Sequence, residues 1–394
     1  MNKLLLFLLF LLSCSMGATA QSDFARGADI SWCTEMEADG RTFYNASGDP
    51  ADIFALMKES GMTAIRLRVW VNPARYGYGA WCDSADVVHK AIRAHEQGFD
   101  LMLDFHYSDF FADPGRQNTP LDWQGYTPEQ LDQAIAAHTR NILLALKDEG
   151  ITPRWVQVGN ETNSGMVFPT GAIDWNKSGA ARFEAYVARS NAGYRAVKDV
   201  FPQAQVIIHL GGAEMAQWFF PDFQAAGGEF DIIGISHYPT AEEWNSTALG
   251  ATHSNVNAAQ WVAEAAATFG VPVMICETGF QVAQPGLAKT VITDLFNRMT
   301  AIPQCAGIFY WEPQTDGLWR PAYYAGLGWN AYDKGAFSAT GQPSAALAPF
   351  ATPDVPTANY QLSTVNHQLS IIRCGQLYIL RNGEIYTAQG ARVE

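Results

Sequence analysis

Trp155-Val156-Gln157-Val158-Gly159-Asn160-Glu161 is a short apolar run that closes on an amide and a carboxylate. Before it lies Pro128–Glu149, a long helical pattern stopped by Gly150. Before that stands Asp100-Leu101-Met102-Leu103-Asp104-Phe105-His106, another apolar run with polar residues at its end. Strand, helix, glycine stop and strand again make a parallel βα unit. Working outward, the same alternation recurs along the chain. Strand candidates are Arg26–Ser31, Ala64–Trp70, Asp100–His106, Trp155–Glu161, Gln205–Leu210, Ile232–Tyr238, Pro272–Thr278 and Gly307–Glu312. Helix candidates include Asp83–Gln97, Pro128–Glu149, Ala181–Val200, Val256–Phe269 and Leu287–Met299. Gly61, Gly98, Gly150 and Gly270 stand where helices stop, each a few residues before the next strand. Eight strands with helices between them predict an α/β fold, a closed (β/α)8 TIM barrel. A doubly wound open sheet would not need eight parallel strands, and no GxGxxG follows the first strand to mark a dinucleotide site.

The barrel accounts for residues 21–349. The segment Ala348–Thr357 is rich in Pro, Ala and Thr and reads as a linker. Beyond it, Leu369–Arg373 and Leu377–Leu380 alternate like strands, and Arg381-Asn382-Gly383 is a hairpin turn signal. Residues 350–394 are therefore expected to be a linker and a small C-terminal β tail, too short for an independent core.

At the other end, residues 1–20 read as a signal peptide. Lys3 supplies the charge, Leu4–Leu12 the apolar stretch, and Ala18-Thr19-Ala20 a cleavage site before Gln21. The alternative is a lipoprotein signal, in which Cys14 would carry the lipid. Export is expected on either reading, to the outside, the periplasm or the cell surface. No other stretch is long and apolar enough to cross a membrane. Export permits disulfides. Cleavage after Ala20 leaves Cys33, Cys82, Cys276, Cys305 and Cys374, an odd count. Cys33–Cys82 is the one pairing that the loop positions suggest, with two separate thiols as the alternative.

The composition narrows the partner. With 48% hydrophobic and 16% charged residues the chain can bury a large core. It holds 39 acidic against 25 basic residues, a net charge of −14, with no basic run, so no nucleic-acid partner is expected. The 12 Trp, 15 Tyr and 22 Phe are mostly core material, but Trp beside acidic loop residues also suits sugars, whose C–H faces stack on aromatic rings. No CxxC or Cys/His cluster suggests zinc.

In a TIM barrel the site lies at the C-terminal ends of the strands. Those ends are polar almost throughout. They carry Asp29 and Trp32, Arg66 and Arg68, Asp104, His106, Tyr107 and Asp109, Asn160 and Glu161, His209, His237 and Tyr238, Glu277, and Trp311 and Glu312. Any one of these alone fits a buried structural role. Glu161 on strand four and Glu277 on strand seven face each other across the barrel mouth. Such a pair can flank a glycosidic bond at the roughly 5–5.5 Å spacing of a retaining mechanism.

Several strings resemble glycoside hydrolase family 53, the endo-β-1,4-galactanases. They are Gly27-Ala28-Asp29-Ile30-Ser31-Trp32, the run from Ile65 to Pro73, Leu103-Asp104-Phe105-His106-Tyr107-Ser108-Asp109, Ala112-Asp113-Pro114-Gly115, Val156–Glu161 and Glu277-Thr278-Gly279. The likeness runs from about Gly27 to about Pro349. It implies an enzyme acting on β-1,4-galactan, with a polysaccharide as partner, and the protein is expected to be a monomer. The sequence departs from the family pattern at Ser236-His237-Tyr238-Pro239, where a second Tyr is expected, and after Glu277, where Thr278–Gln284 is short and lacks an acidic cluster. Some family members hold calcium in a longer loop there; here no cofactor or metal is expected.

The chemistry assigns the roles. Glu277 would attack the anomeric carbon and must stay ionised, with Arg68 and Tyr238 as candidate partners. Glu161 would protonate the leaving oxygen and then deprotonate water. Asn160 would hold the sugar 2-hydroxyl. Asp29, Asp104, His106, Asp109, His209, His237 and Trp311 are expected around the substrate, and Trp70, Trp81 and Trp123 are candidate stacking surfaces. Another retaining endo-glycanase, acting on mannan, xylan or β-glucan, is the first alternative function. A non-catalytic sugar-binding barrel is the second.

Overall fold

The computed structural model describes residues 24–77 and 79–351, and the backbone of four strands between residues 363 and 387. The expected signal peptide with Cys14, most of the linker, Asn382-Gly383 and Cys374 lie outside the described residues.

Eight parallel strands close a barrel: β1 (Ala25–Asp29), β2 (Ala64–Val69), β3 (Asp100–Phe105), β4 (Trp155–Val158), β5 (Gln205–Leu210), β6 (Ile232–Ser236), β7 (Val273–Thr278) and β8 (Cys305–Trp311). Each pairs with its neighbours in sequence, and β8 closes on β1. The α-helices are α1 (Cys33–Ala38), α2 (Ile53–Glu59), α3 (Ser84–Glu96), α4 (Pro128–Asp148), α5 (Glu184–Val200), α6 (Ala216–Ala225), α7 (Asn255–Phe269), α8 (Pro285–Thr300) and α9 (Ala322–Gly326). The TIM barrel read from the sequence is the fold found. The helix ends follow local chemistry. Thr127 and Gln130 form a reciprocal capping box on α4 behind Pro128, and Ser254 caps α7, which stops at Gly270 with φ +68°. Helices α1, α2 and α9 are too short to read from periodicity, and α6 contains Pro221.

Six strands end earlier than the sequence suggests: β2, β3 and β8 by one residue, β1 and β6 by two and β4 by three. β4 stops at Val158, because Gly159 (φ +91°) and Glu161 (φ +45°) turn the chain off the ladder. β6 stops at Ser236, before His237-Tyr238.

The barrel interior is layered. Ala25, Ala64, Met102, Trp155, Ile207, Ile232, Met274 and Phe309 plug the lower end, with a side chain from every strand. Phe309 fills the space a Cβ on Gly27 would need, which lies only 2.0 Å from its ring. Side chains in a strand alternate, so residues two further on return to the interior. Those positions hold Arg66, Asp104, Gln157 and His209. An apolar plug therefore carries a polar layer directly above it.

The expected Cys33–Cys82 bridge is absent. Both are buried free thiols, as are Cys276 and Cys305. Cys82 Sγ lies instead 3.8 Å from the Ser31 carbonyl and 3.7 Å from Lys90 Nζ. The C-terminal strands β9 (Ser363–Val365), β10 (Gln368–Arg373), β11 (Gln376–Arg381) and β12 (Glu384–Thr387) form an antiparallel meander. Arg381 pairs with Glu384 across Asn382-Gly383, where the hairpin signal stands. Among the described residues no helix is long and apolar enough to cross a membrane.

Candidate active site

Arg66 organises the polar layer. Its Nη1 donates to Asp29 Oδ2 at 2.7 Å and its Nε to Gln157 Oε1 at 2.6 Å. Nη2 reaches Asp104 Oδ2 at 2.9 Å, Asn160 Oδ1 at 3.0 Å and Glu277 Oε1 at 2.9 Å. Strand register makes this convergence available, because Arg66 stands beside Asp29 on β1, and Arg68, Asp104 and Gln157 are level on β2, β3 and β4. All are buried. The partner expected for Glu277 was Arg68, and this is corrected: Arg66 holds it. The two arginines lie on the same face of β2, and only Arg66 sits at the depth of Glu277. Arg68 instead pairs with Glu312 Oε1 at 3.0 Å, its guanidinium 4.4 Å from the Phe111 ring and 5.0 Å from Trp70.

Glu277 has a second donor, Tyr238, whose hydroxyl lies 2.9 Å from Oε2. Glu161 is half-buried, its carboxyl near the Ser236 hydroxyl, and a Cβ on Gly211 would come within 3.2 Å of its Oε1. Glycine at 211 leaves that carboxyl its room. Burial raises the pKa of both glutamates, while Arg66 pulls both down and the charge of Glu161 pushes Glu277 up again. Each of two neighbouring carboxyls disfavours the charged form of the other. Glu277 carries a guanidinium and a phenol aimed at its two oxygens, and both favour its carboxylate form. One carboxylate and one carboxylic acid facing a cleft can act as nucleophile and acid.

The surrounding groups have fixed protonation. Burial lowers His106 and His209, so both are neutral. The Ala112 amide donates to His106 Nδ1 at 2.9 Å, which puts the proton on Nε2, facing Asp104 Oδ2 at 2.9 Å. Burial pushes Asp104 up, but Arg66 and His106 outweigh it and hold its pKa at about 2. Asn160 Nδ2 donates to the Ala112 carbonyl at 2.8 Å, so Oδ1 is its acceptor, facing Arg66 and His209 Nδ1 (3.0 Å). Gln117 holds the Asn160 carbonyl at 2.8 Å.

Above this layer opens a cavity of about 550 Å³. Asn160, Glu161, Tyr238 and Glu277 form its floor, with His106, and Trp32, Phe111, Trp311, Trp319, Trp329 and Tyr332 form an aromatic wall. The expected residues separate into groups. Glu161, Glu277, Asn160, His106, Tyr238 and Trp311 meet in the cleft. Asp29, Arg68, Asp104 and His209 lie beneath it and act through the residues they hold. Asp109 ties loops instead, accepting from the Asn72 amide at 2.9 Å and the Leu121 amide at 2.8 Å. His237 is buried, its Nε2 on Asn255 Oδ1 at 2.9 Å. Trp70 is buried under Phe110 and Phe111. Trp123 faces a separate cavity with Tyr76 and Tyr126, and Trp81 packs near Gly79. The stacking wall therefore comes from Trp32 after β1, Phe111 after β3, and Trp311 with the loop that follows it. Sequence reading passed over Trp319, Trp329 and Tyr332 because loop residues carry no periodicity. Gln157 could have been flagged beside Arg66, because an amide facing into a barrel interior needs partners.

Among known proteins, the family model described as glycosyl hydrolase family 53 matches residues 25–350. The chain belongs to this family. An arabinogalactan endo-β-1,4-galactanase of Cellvibrio japonicus is 30% identical over 324 residues, 75% of this chain and 82% of that protein. A fungal β-1,4-galactanase structure superposes with a TM-score of 0.70 at 25% identity, covering 83% of this chain and 98% of that one. The family 53 catalytic domain of Ignisphaera aggregans gives 0.70 at 27% identity, covering 85% and 97%. Family 53 membership makes the protein a glycoside hydrolase. Among the described residues, no group of three or more His, Cys, Asp or Glu is arranged to hold a metal ion.

The Tyr238 hydroxyl gives a test of this site in the family 53 barrel. Tyr238→Phe removes a donor to Glu277 and keeps the ring. The carboxylate form loses stabilisation, so the pKa of Glu277 rises. The acidic limb of the kcat/KM profile should move to higher pH, with kcat about tenfold lower for one lost charge-assisted hydrogen bond. A limb that stays in place would count against Glu277 as the ionised partner.

Proposed function

We propose that the protein is a retaining endo-β-1,4-galactanase, acting inside chains of galactan or of arabinogalactan, with Glu277 as nucleophile and Glu161 as acid and base. The observation that carries this reading is the unequal environment of the two glutamates: Arg66 and Tyr238 donate directly to Glu277, whereas the donor beside Glu161 is the Ser236 hydroxyl. Family membership and the galactanases among its relatives support the substrate.

In the first step Glu277 attacks the anomeric carbon while Glu161 gives its proton to the departing oxygen. The galactosyl ester neutralises Glu277, and with that charge gone the pKa of Glu161 falls. Glu161 can then take a proton from water, which opens the ester from the face the leaving group vacated. Asn160 has one amide hydrogen committed to Ala112, and its other hydrogen is suited to the sugar 2-hydroxyl. The aromatic wall suits a polymer lying across the barrel mouth.

A panel of purified β-1,4-galactan, mannan, xylan and β-glucan tests the substrate. Galactan should be cleaved fastest, with short oligosaccharides released from inside the chain. Faster cleavage of another polymer would overturn it. No metal enters the reading. Chelator treatment should leave the rate on galactan unchanged, and a loss that calcium restores would overturn this part. The enzyme is proposed to be exported, and intact mass from the native host should place the mature start at Gln21, without lipid on Cys14.

A further inference from the structure

Trp175 lies on the segment between Glu161 and α5 and is 57% exposed. The other tryptophans of the chain's 12 are buried or half-buried. Tryptophan is enriched at surfaces that meet a partner, where its ring supplies a large apolar face. Its orientation is fixed. Trp175 stacks on Trp218, in the first turn of α6, with centroids 5.4 Å apart and planes 12° from parallel. The Arg182 guanidinium lies 5.6 Å from the Trp175 ring and 6.0 Å from that of Trp218. The Asp174 amide donates to the Arg182 carbonyl at 2.9 Å and so closes the loop that carries the ring. Trp218 stacks on one indole face, and the residue as a whole stays open to solvent.

The position in the barrel matters as much as the exposure. The loops after β4 and β5 are tied together, the Gly211 amide donating to Asn163 Oδ1 at 2.7 Å and the Thr162 amide to the His209 carbonyl at 2.8 Å. These loops flank Glu161. The aromatic wall of the cleft comes from the loops of β8, β1 and β3, and β8 and β1 stand across the barrel from β4 and β5. Glu161 is the group that protonates the leaving oxygen, so the half of the polymer that departs lies on its side.

We infer that Trp175, backed by Trp218, is a stacking platform for a pyranose ring in the leaving half of the polysaccharide. This rests on the glycanase reading of Glu161 and Glu277. The ligand is an uncharged β-linked hexose chain. A sugar ring offers an apolar C–H face to the indole, and a net charge of −14 disfavours a polyuronide. The platform fixes the part of the chain that a small aryl leaving group does not have.

Wild type is first run on galactan, mannan, xylan and β-glucan. Trp175→Ala and Trp175→Phe are then measured on the polymer that wild type cleaves fastest, and on an aryl glycoside of the same sugar, with melting temperatures alongside. In Trp175→Ala, kcat/KM on polymer should fall on the order of tenfold, with most of it restored in Trp175→Phe. The aryl glycoside rate and the melting temperature should not change. An unchanged polymer rate overturns the platform, as does an equal fall on both substrates, because each leaves Trp175 as packing for Trp218. A wild type that prefers another polymer overturns the galactan reading instead, and the two failures are told apart by which enzyme shows them.

Discussion

Glu277→Ala and Glu161→Ala are each expected to lower kcat on polymer by at least ~10²-fold, the low end for a single acid–base group. They should part company on an activated aryl galactoside. A good leaving group needs no proton, so Glu161→Ala should still form the ester on Glu277 and then stall, since no base activates water. Azide needs no base, and it should release β-galactosyl azide from this variant. Glu277→Ala cannot form the ester. Azide can enter only the space the carboxylate vacated, and it should give the α product. Wild type should release the β anomer first, as read by NMR before mutarotation. An α anomer as first product would sink both the retaining mechanism and the part given to Glu277.

Arg66→Met should have the largest effect on stability. The guanidinium is shared by Asp29, Asp104 and Glu277, and its other donors hold Gln157 and Asn160. Methionine fills much of the volume but leaves three carboxylates without the guanidinium they share. Breaking a buried ion pair by removing one partner costs about 3–5 kcal/mol. For a barrel of this size that is a fall in Tm on the order of 10 °C. The folded remainder should also lose activity, because Glu277 loses the charge that keeps it ionised. Arg66→Lys restores one positive charge but not the fork that serves five acceptors, so it should recover part of the stability and little of the rate. A Tm for Arg66→Met within about 2 °C of wild type would show that Arg66 does not organise this layer.

The pH behaviour expected of Tyr238→Phe belongs to the same logic. Both donors on Glu277 act on one protonation state, so removing either moves the acidic limb in one direction. The platform at Trp175 is independent of that charge balance and should leave the pH profile where it is.

The alternation of short apolar runs and long helical patterns determined the barrel from sequence alone, since each βα unit is a local matter of period, cap and glycine stop. It also determined that Glu161 and Glu277 stand at strand ends, because Asn160-Glu161 comes just after its strand and Glu277-Thr278 closes its own. Depth and direction were not legible. Arg66 and Arg68 are two residues apart on one strand and look alike in sequence. Only the register of β1 to β4 puts the first under Glu277 and the second against Glu312 and three aromatic rings. The backbone turn that lifts Glu161 off the ladder and the part of the aromatic wall drawn from the loop after β8 were equally hidden. A side chain's partner in a closed barrel comes from residues tens or hundreds of positions away, brought level by the stagger of the strands. No local pattern encodes that distance, so the tertiary structure alone decided which of the polar groups at the barrel mouth face substrate and which hold the others in place.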